Sequence, residues 1–223
     1  METPPEPAAG KLQILATEHW SLLASRSLTY TESLGRVNVF LAILSGAVIA
    51  LALVAQADRF GATFIAIAIL TLLVVLFAGF ATIARLMQLN RDDYRWVVGM
   101  NRLRHAYLEL HPELEANFMT SPYDDVPGAL RTLGIDITAA RGVGSALHVF
   151  QTLPGMLSVI VAAIVGAIGA LIAVAIGLPS LGVVLAGAGA FVVAVVLMAL
   201  WGSRSFRGSR DPSLEPHFPS PKT

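Results

Sequence analysis

The sequence predicts an all-α membrane protein: four transmembrane helices in two hairpins, cytoplasmic amphipathic helices, and both termini cytoplasmic. Three observations predict it. Of 223 residues, 55% are hydrophobic and only 13% charged, about half the roughly 25% charged share of soluble domains. The missing charge is concentrated in four long uncharged runs. The basic residues fall almost entirely to one side of those runs.

The first run, VNVFLAILSGAVIALALVAQA, extends from Val37 to Ala57 without a charge. Asp58-Arg59-Phe60-Gly61 interrupts it, and a second uncharged run continues from Ala62 to Ile83. A bilayer core is about 30 Å thick and a helix rises about 1.5 Å per residue, so each run is long enough to cross. Backbone groups cannot stay unpaired in lipid, so these runs must be helical. Residues 37–83 are thus the first transmembrane hairpin. Leu153–Leu178 and Leu181–Trp201 form the second, within residues 153–201, with Pro154 tolerable in a first helical turn. Gly177-Leu178-Pro179-Ser180 reverses the chain between them.

Residues 1–10 (METPPEPAAG) carry three prolines and two glutamates and cannot build a core, so a disordered tail is expected. No basic stretch leads into a short apolar segment there, so no cleavable signal peptide is expected. Residues 11–36 place Leu12, Leu15, His19, Leu22, Leu23, Tyr30 and Leu34 at helical spacing, as a cytoplasmic amphipathic helix leading into the first span.

Residues 84–152 form the larger cytoplasmic segment. Its seam runs Thr82, Leu86, Leu89, Asp93, Trp96, Met100, Leu103, Tyr107, Leu110, in steps alternating four and three. That spacing matches a helix-pairing seam. The second span should therefore continue as a helix and pair with residues 11–36, ending near His111-Pro112. Within the seam, Asp93 either pairs with Arg26 across the helix pair or marks a frayed region. Met119–Gly128 is a loop rich in turn residues. A weaker helical pattern returns over Ala129–Gln151, around Leu130, Leu133, Ile137 and Leu147. Residues 202–223, rich in Ser, Pro and Arg, should form a disordered tail.

Fourteen of the fifteen Lys and Arg residues lie in the N-terminal, central and C-terminal segments. Only Arg59 lies in a turn on the other side. The positive-inside bias then places both termini and the central segment on the cytoplasmic side.

Apolar burial does not pair helices in lipid, so close packing relies on small residues. The first span carries Ala42, Gly46 and Ala50 at four-residue spacing. The third carries Ala162, Gly166 and Ala170, and the fourth Gly182, Ala186, Ala190 and Ala194. These ridges suit pairing of the third span with the fourth, and of the first with another helix or another subunit.

The chemistry expected of pumps and proteases is missing from the runs. None contains Asp, Glu, Lys, Arg or His; their depth-placed polar residues are Ser45, Thr63, Thr71 and Ser158. Functional intramembrane sites usually hold an ionisable group. With no cysteine there is no thiolate metal site or Cys nucleophile. His105, His111 and His148 with Asp124 and Asp125 match no metal-ligand spacing and read as solvated residues. Arg141-Gly142-Val143-Gly144-Ser145 lacks the third glycine and preceding strand of a phosphate loop. Asp92 and Asp93 beside Arg91 and Arg95 suit ion pairs along one helix. Arg102, Arg104 and Tyr107 form a solvated face or a weak headgroup or nucleotide site. No catalytic residue, cofactor or metal site is expected, and balanced charge (15 acidic, 15 basic) gives no reason to expect nucleic acid.

Two stretches carry a resemblance: LLASRSLTYTESLGRVNVFLAILSGAVIALALVAQA, residues 22–57, and RLMQLNRDDYRWVVGMNRLRHAYLEL, residues 85–110. Together they resemble an uncharacterised, chiefly actinobacterial family of integral membrane proteins. The layout of helix, two spans and returning helix is similar to the SLATT class of two-span membrane effectors. That likeness implies an effector of pore-forming type and no catalytic residues; this chain adds a second hairpin.

Two functions are expected from these readings. The first is a non-enzymatic inner-membrane protein that contacts lipid, self-associates into a homo-oligomer, or binds a cytoplasmic partner. Its helix-pairing residues would be Asp93, Trp96, Met100, Leu103 and Tyr107. The second is an oligomeric pore or channel-type effector, its path lined by the first hairpin.

Overall fold

A computed structural model describes residues 6–135, 152–207 and 211–221. Its helices are long because little in the sequence stops them. Helix α1 spans Glu6–Asp58, with Pro7 in its first turn and no later proline. Its 53 residues extend about 80 Å. Helix α2 spans Ala62–Leu110 and contains no proline. It stops just before His111-Pro112, where a short 3-10 helix, Pro112–Asn117, follows.

The turn between α1 and α2 bends within three residues. Arg59 and Phe60 adopt left-handed φ values of 46° and 63°, uncommon for residues with side chains. Asp58 compensates with two acceptors: its carbonyl takes the Gly61 N–H at 2.9 Å. Its carboxylate takes the Phe64 N–H at 2.7 Å, satisfying an orphan donor at the start of α2.

Helix α3 is short, Val126–Thr132, with Asp125 at its N-cap accepting from Gly128 N–H at 2.9 Å. Helix α4 spans Leu153–Ala175 and α5 spans Ser180–Arg207. Thr152 caps α4, and α4 ends where Gly177 takes φ 76°. There Leu178 N–H bonds back to Ala173 O at 3.0 Å, the closure that a left-handed glycine permits. The described residues contain helices and turns and no strand. Four of the helices, α1, α2, α4 and α5, are long and apolar enough to cross a membrane.

Two sequence expectations need correction. Residues 1–10 are not all outside structure, since α1 begins at Glu6; residues 1–5 lie outside the described residues. Of the helical pattern expected over Ala129–Gln151, only residues 129–135 are described; there α3 starts earlier than expected, at Asp125 and Pro127, and Gly134, at φ 71°, follows its end. Ile137, Leu147, Gly142, Gly144, the Arg141–Ser145 stretch and His148 lie outside the described residues. Finally, 202–223 is not a free tail. Helix α5 runs on to Arg207, and residues 211–221 are held by bonds set out below.

The chain divides into two compact units. One comprises Met1–Glu32, Leu89–Ala146 and Arg210–Thr223; the other comprises Ser33–Gln88 and Leu147–Ser209. In the second unit Phe40, Val75, Ile83, Leu86, Val161 and Ala162 are almost fully buried. Gly79 sits among them because a side chain would not fit. A Cβ there would meet Val161 Cγ2 at 2.6 Å and Phe40 Cε2 at 3.1 Å. Valine is branched and stiff, so it has little room to yield.

Gly79→Leu should therefore lower the unfolding free energy by about 1–3 kcal/mol, the usual cost of overpacking. Denaturant unfolding of purified protein in detergent checks this. An unchanged midpoint would show that this crowding is relieved without loss.

Candidate functional site

The first unit holds the molecule's concentration of polar chemistry, and α2 is its axis. Two adjacent faces of α2 are used, offset from one another by one residue. The first is the sequence seam, on which Met100 is buried and Asp93, Trp96, Leu103 and Tyr107 are half-buried. Of those five, Asp93, Met100 and Tyr107 meet the N-terminal part of α1. Leu22 packs over Gly99, where a Cβ would meet Leu22 Cδ1 at 3.0 Å. His19 and Tyr107 have ring centroids 6.1 Å apart.

Asp93 interrupts the apolar seam because Arg26 meets it there. Arg26 Nε donates to Asp93 Oδ1 at 2.7 Å, with both side chains about 30% exposed. The sequence left Asp93 between pairing and fraying, and the structure places it in the pair. Arg95 instead serves Asp92 at 3.1 Å, one turn away on the same helix. The seam also carries two buried polar atoms, His19 Nδ1 and Trp96 Nε1, with no bonding partner among the described residues.

The second face was not visible in the periodicity. Val97, Val98, Met100 and Ala129 form a buried cluster, with Leu22, Tyr94, Leu133 and Leu214 packed against it. Beside it Asn101 is fully buried and fully used. Its amide donates to Tyr123 O at 2.7 Å, while its oxygen accepts from Arg104 Nη1 at 2.7 Å and Thr132 Oγ1 at 2.9 Å. A buried amide needs such partners, since each unmade bond costs about 1–3 kcal/mol. Asn101 thereby ties α2 to both ends of the Ser121–Thr132 segment.

That segment presents two carboxylates to residues 211–221. Asp124 has no exposed side-chain surface and accepts Arg102 Nε at 2.7 Å. It also accepts the N–H of His217 at 2.9 Å and of Phe218 at 2.8 Å. Asp124 N–H returns a bond to Phe218 O at 3.2 Å. Asp125 accepts Ser220 N–H at 2.8 Å and Ser220 Oγ at 2.9 Å while it caps α3. Arg102 Nη2 donates to Glu215 O at 2.8 Å, and Arg95 pairs with Asp211 at 2.7 Å. The Phe218 ring stacks on His105 with centroids 4.0 Å apart.

Burial by itself would raise the Asp124 pKa. The N–H of His217, the Arg102 guanidinium and the N–H of Phe218 outweigh it and hold the carboxyl below its ordinary range. Asp125 is lowered likewise: burial opposes, but N–H donors of Ser220 and Gly128 and the Ser220 hydroxyl prevail, against the Asp124 charge.

These acids read as solvated loop residues in the sequence, and only the Asp125-Val126-Pro127-Gly128 start of α3 signalled a specific role. His105 contributes a stacking ring, and His111 pairs with Glu113 at 3.0 Å. No group of three metal-ligating side chains occurs among the described residues.

The transmembrane packing residues divide into two sets. A Cβ on Gly166 would meet Gly187 O at 3.0 Å, and one on Gly169 would meet Ala190 Cβ at 2.9 Å. A Cβ on Gly187 would meet Ala170 Cβ at 3.2 Å. Gly166, Ala170 and Ala190 thus lie where α4 and α5 approach closely, with Ala186 O 3.3 Å from a Cβ on Gly169. Ala162 and Ala194 are buried. Gly182 meets only Leu178 and Pro179 beside its own helix start. Ala42, Gly46 and Ala50 are all exposed, and nothing lies within 4 Å of a Cβ on Gly46.

The four apolar helices and the polar unit define the class as a membrane protein with four candidate spans. No protein-family model, curated protein or solved structure matches the chain.

Two outcomes are expected. A double-mutant cycle on Arg26→Ala and Asp93→Ala should give a coupling of about 0.5–1 kcal/mol, as for a partly exposed pair. Zero coupling in denaturant unfolding would leave the pair without energetic weight. The second concerns pH. Carboxyls with lowered pKa stabilise docking fully above the ordinary carboxylate range, and the contribution is lost as pH falls through their folded values. Amide resonances of His217, Phe218 and Ser220 should thus hold their positions down to about pH 4 and shift only below it.

Proposed function

We propose that the chain is a non-enzymatic, multi-pass bacterial inner-membrane protein that self-associates through α1, with its polar unit and both termini in the cytoplasm. The distribution of basic residues supports that orientation.

The observation that carries the reading is the outward surface of α1. The seam expected to mediate assembly, Asp93 to Tyr107, is occupied within the chain by α1 itself. Exposed apolar and small residues lie along α1. In the first unit Ile14, Trp20, Leu28 and Tyr30 are each at least 64% exposed. In the second, Ala42, Gly46 and Ala50 form an open small-residue ridge. Ridges of this kind let helix backbones approach in lipid, and exposed apolar groups in a polar segment mark contact surfaces. The polar unit could also present Trp20 and Tyr30 to a cytoplasmic protein. SLATT-like layout fits an effector built from several copies.

Native mass spectrometry in lipid nanodiscs should return a homo-oligomer, and Gly46→Leu should reduce its subunit count. A Cβ there has open space within 4 Å among the described residues, so an unchanged melting midpoint is expected alongside. A wild-type monomer would overturn the reading. A closed ring of four or more would favour the pore-type effector, which ion flux in liposomes then tests.

A further inference from the structure

The seat formed by Arg102, His105, Asp124 and Asp125 has the properties of a peptide-binding site. Most of what it recognises in residues 211–221 is main chain. The N–H groups of His217, Phe218 and Ser220 donate to carboxylates, and the carbonyls of Glu215 and Phe218 accept. Any extended segment offers the same groups. Two side chains add selectivity at alternate positions: the Phe218 ring on His105 and the Ser220 hydroxyl on Asp125. Both contacts fall within three consecutive residues, so they read as one recognition unit.

The seat also has structure of its own. Asp124 is engaged by Arg102, and Asp125 caps α3 through Gly128, whichever chain supplies the remaining donors. The occupant is restrained before it reaches the seat, with a 3-10 turn at Pro212–Leu214. Pro212, Pro216, Pro219 and Pro221 limit its backbone freedom, and none of them offers an N–H where the carboxylates collect donors. Its apolar anchorage is slight, with Leu214 and Phe218 only half-buried. Because it belongs to the same chain, such an occupant acts at an effective concentration that any free peptide must overcome.

We propose that this seat is a linear-motif binding site, filled by the chain's own His217–Ser220 as an internal ligand. It exchanges that ligand for a linear segment of a partner protein with an aromatic residue followed two positions later by Ser or Thr. The C-terminal segment is then an autoinhibitory occupant.

The probe is a fluorescent synthetic peptide, DPSLEPHFPSPKT, titrated against full-length protein in nanodiscs and read by anisotropy. Wild type should bind weakly because its own segment competes. The full-length variant Phe218→Ala/Ser220→Ala, with a weakened internal ligand, should bind at least about tenfold more tightly. A peptide carrying the same two alanines should lose that gain. Adding Asp125→Ser, which keeps a capping oxygen for α3, should also abolish it, as should His105→Ala. Equal affinity in wild type and variant, or no binding to a variant that melts like wild type, would overturn the proposal. Should the double variant melt lower, Ser220→Ala alone serves, with the same gain expected and the same results overturning it.

Discussion

A carboxylate removed from water costs several kcal/mol unless donors replace the water it loses. Asp124 is in that position, and the first unit is arranged to supply those donors. Arg102 comes from α2, and two main-chain N–H groups come from residues about ninety positions later in the chain. Asn101, one residue before Arg102, holds the Tyr123 carbonyl beside that carboxylate. Asp125, one residue after, starts α3, whose Ala129 completes the apolar cluster against Val97 and Val98. Removing any one donor leaves a charge or an amide stranded, so these residues act as a network rather than as separate contacts.

The second unit obeys a different constraint. Between apolar helices in lipid, burial brings no gain, and contact depends on how closely backbones approach. Gly166 and Gly187 face each other's carbonyls, and Gly79 makes room for Phe40 and Val161. The small residues of the first span, Ala42, Gly46 and Ala50, are exposed, with nothing within 4 Å of a Cβ on Gly46 among the described residues. One sequence device therefore has two fates, and α1 ends with its inner side engaged and its outer side free.

Much of this was legible beforehand. The four-three seam is a property of helical spacing, so it identified the face of α2 that meets α1, and Arg26 was the natural counter-ion for Asp93. Gly177 and Pro179 marked the α4–α5 turn through backbone geometry alone. The second face of α2 was hidden because Tyr94, Val97, Asn101 and His105 mix apolar, polar and titratable residues, which cancels any periodic signal. Asp124 and Asp125 looked solvated because carboxylates usually are. Most of their donors are main-chain groups, and a main-chain N–H has no letter in the sequence. Prolines and serines near the C-terminus suggested disorder for the same reason: their composition cannot build a core, but it can line one already built.

The sequence by itself determined that four helices can cross a membrane, where the chain turns between them, and which side of α2 is apolar. Those outcomes follow from chain-local physics: run length, spacing, and the geometry of proline and glycine. Only the tertiary structure decided that Asp124 is a buried clamp, that residues 211–221 are its ligand, and that the α1 ridge is left open. Each depends on groups far apart in the chain meeting at hydrogen-bond distance, or on a neighbour being absent, and no local pattern encodes either.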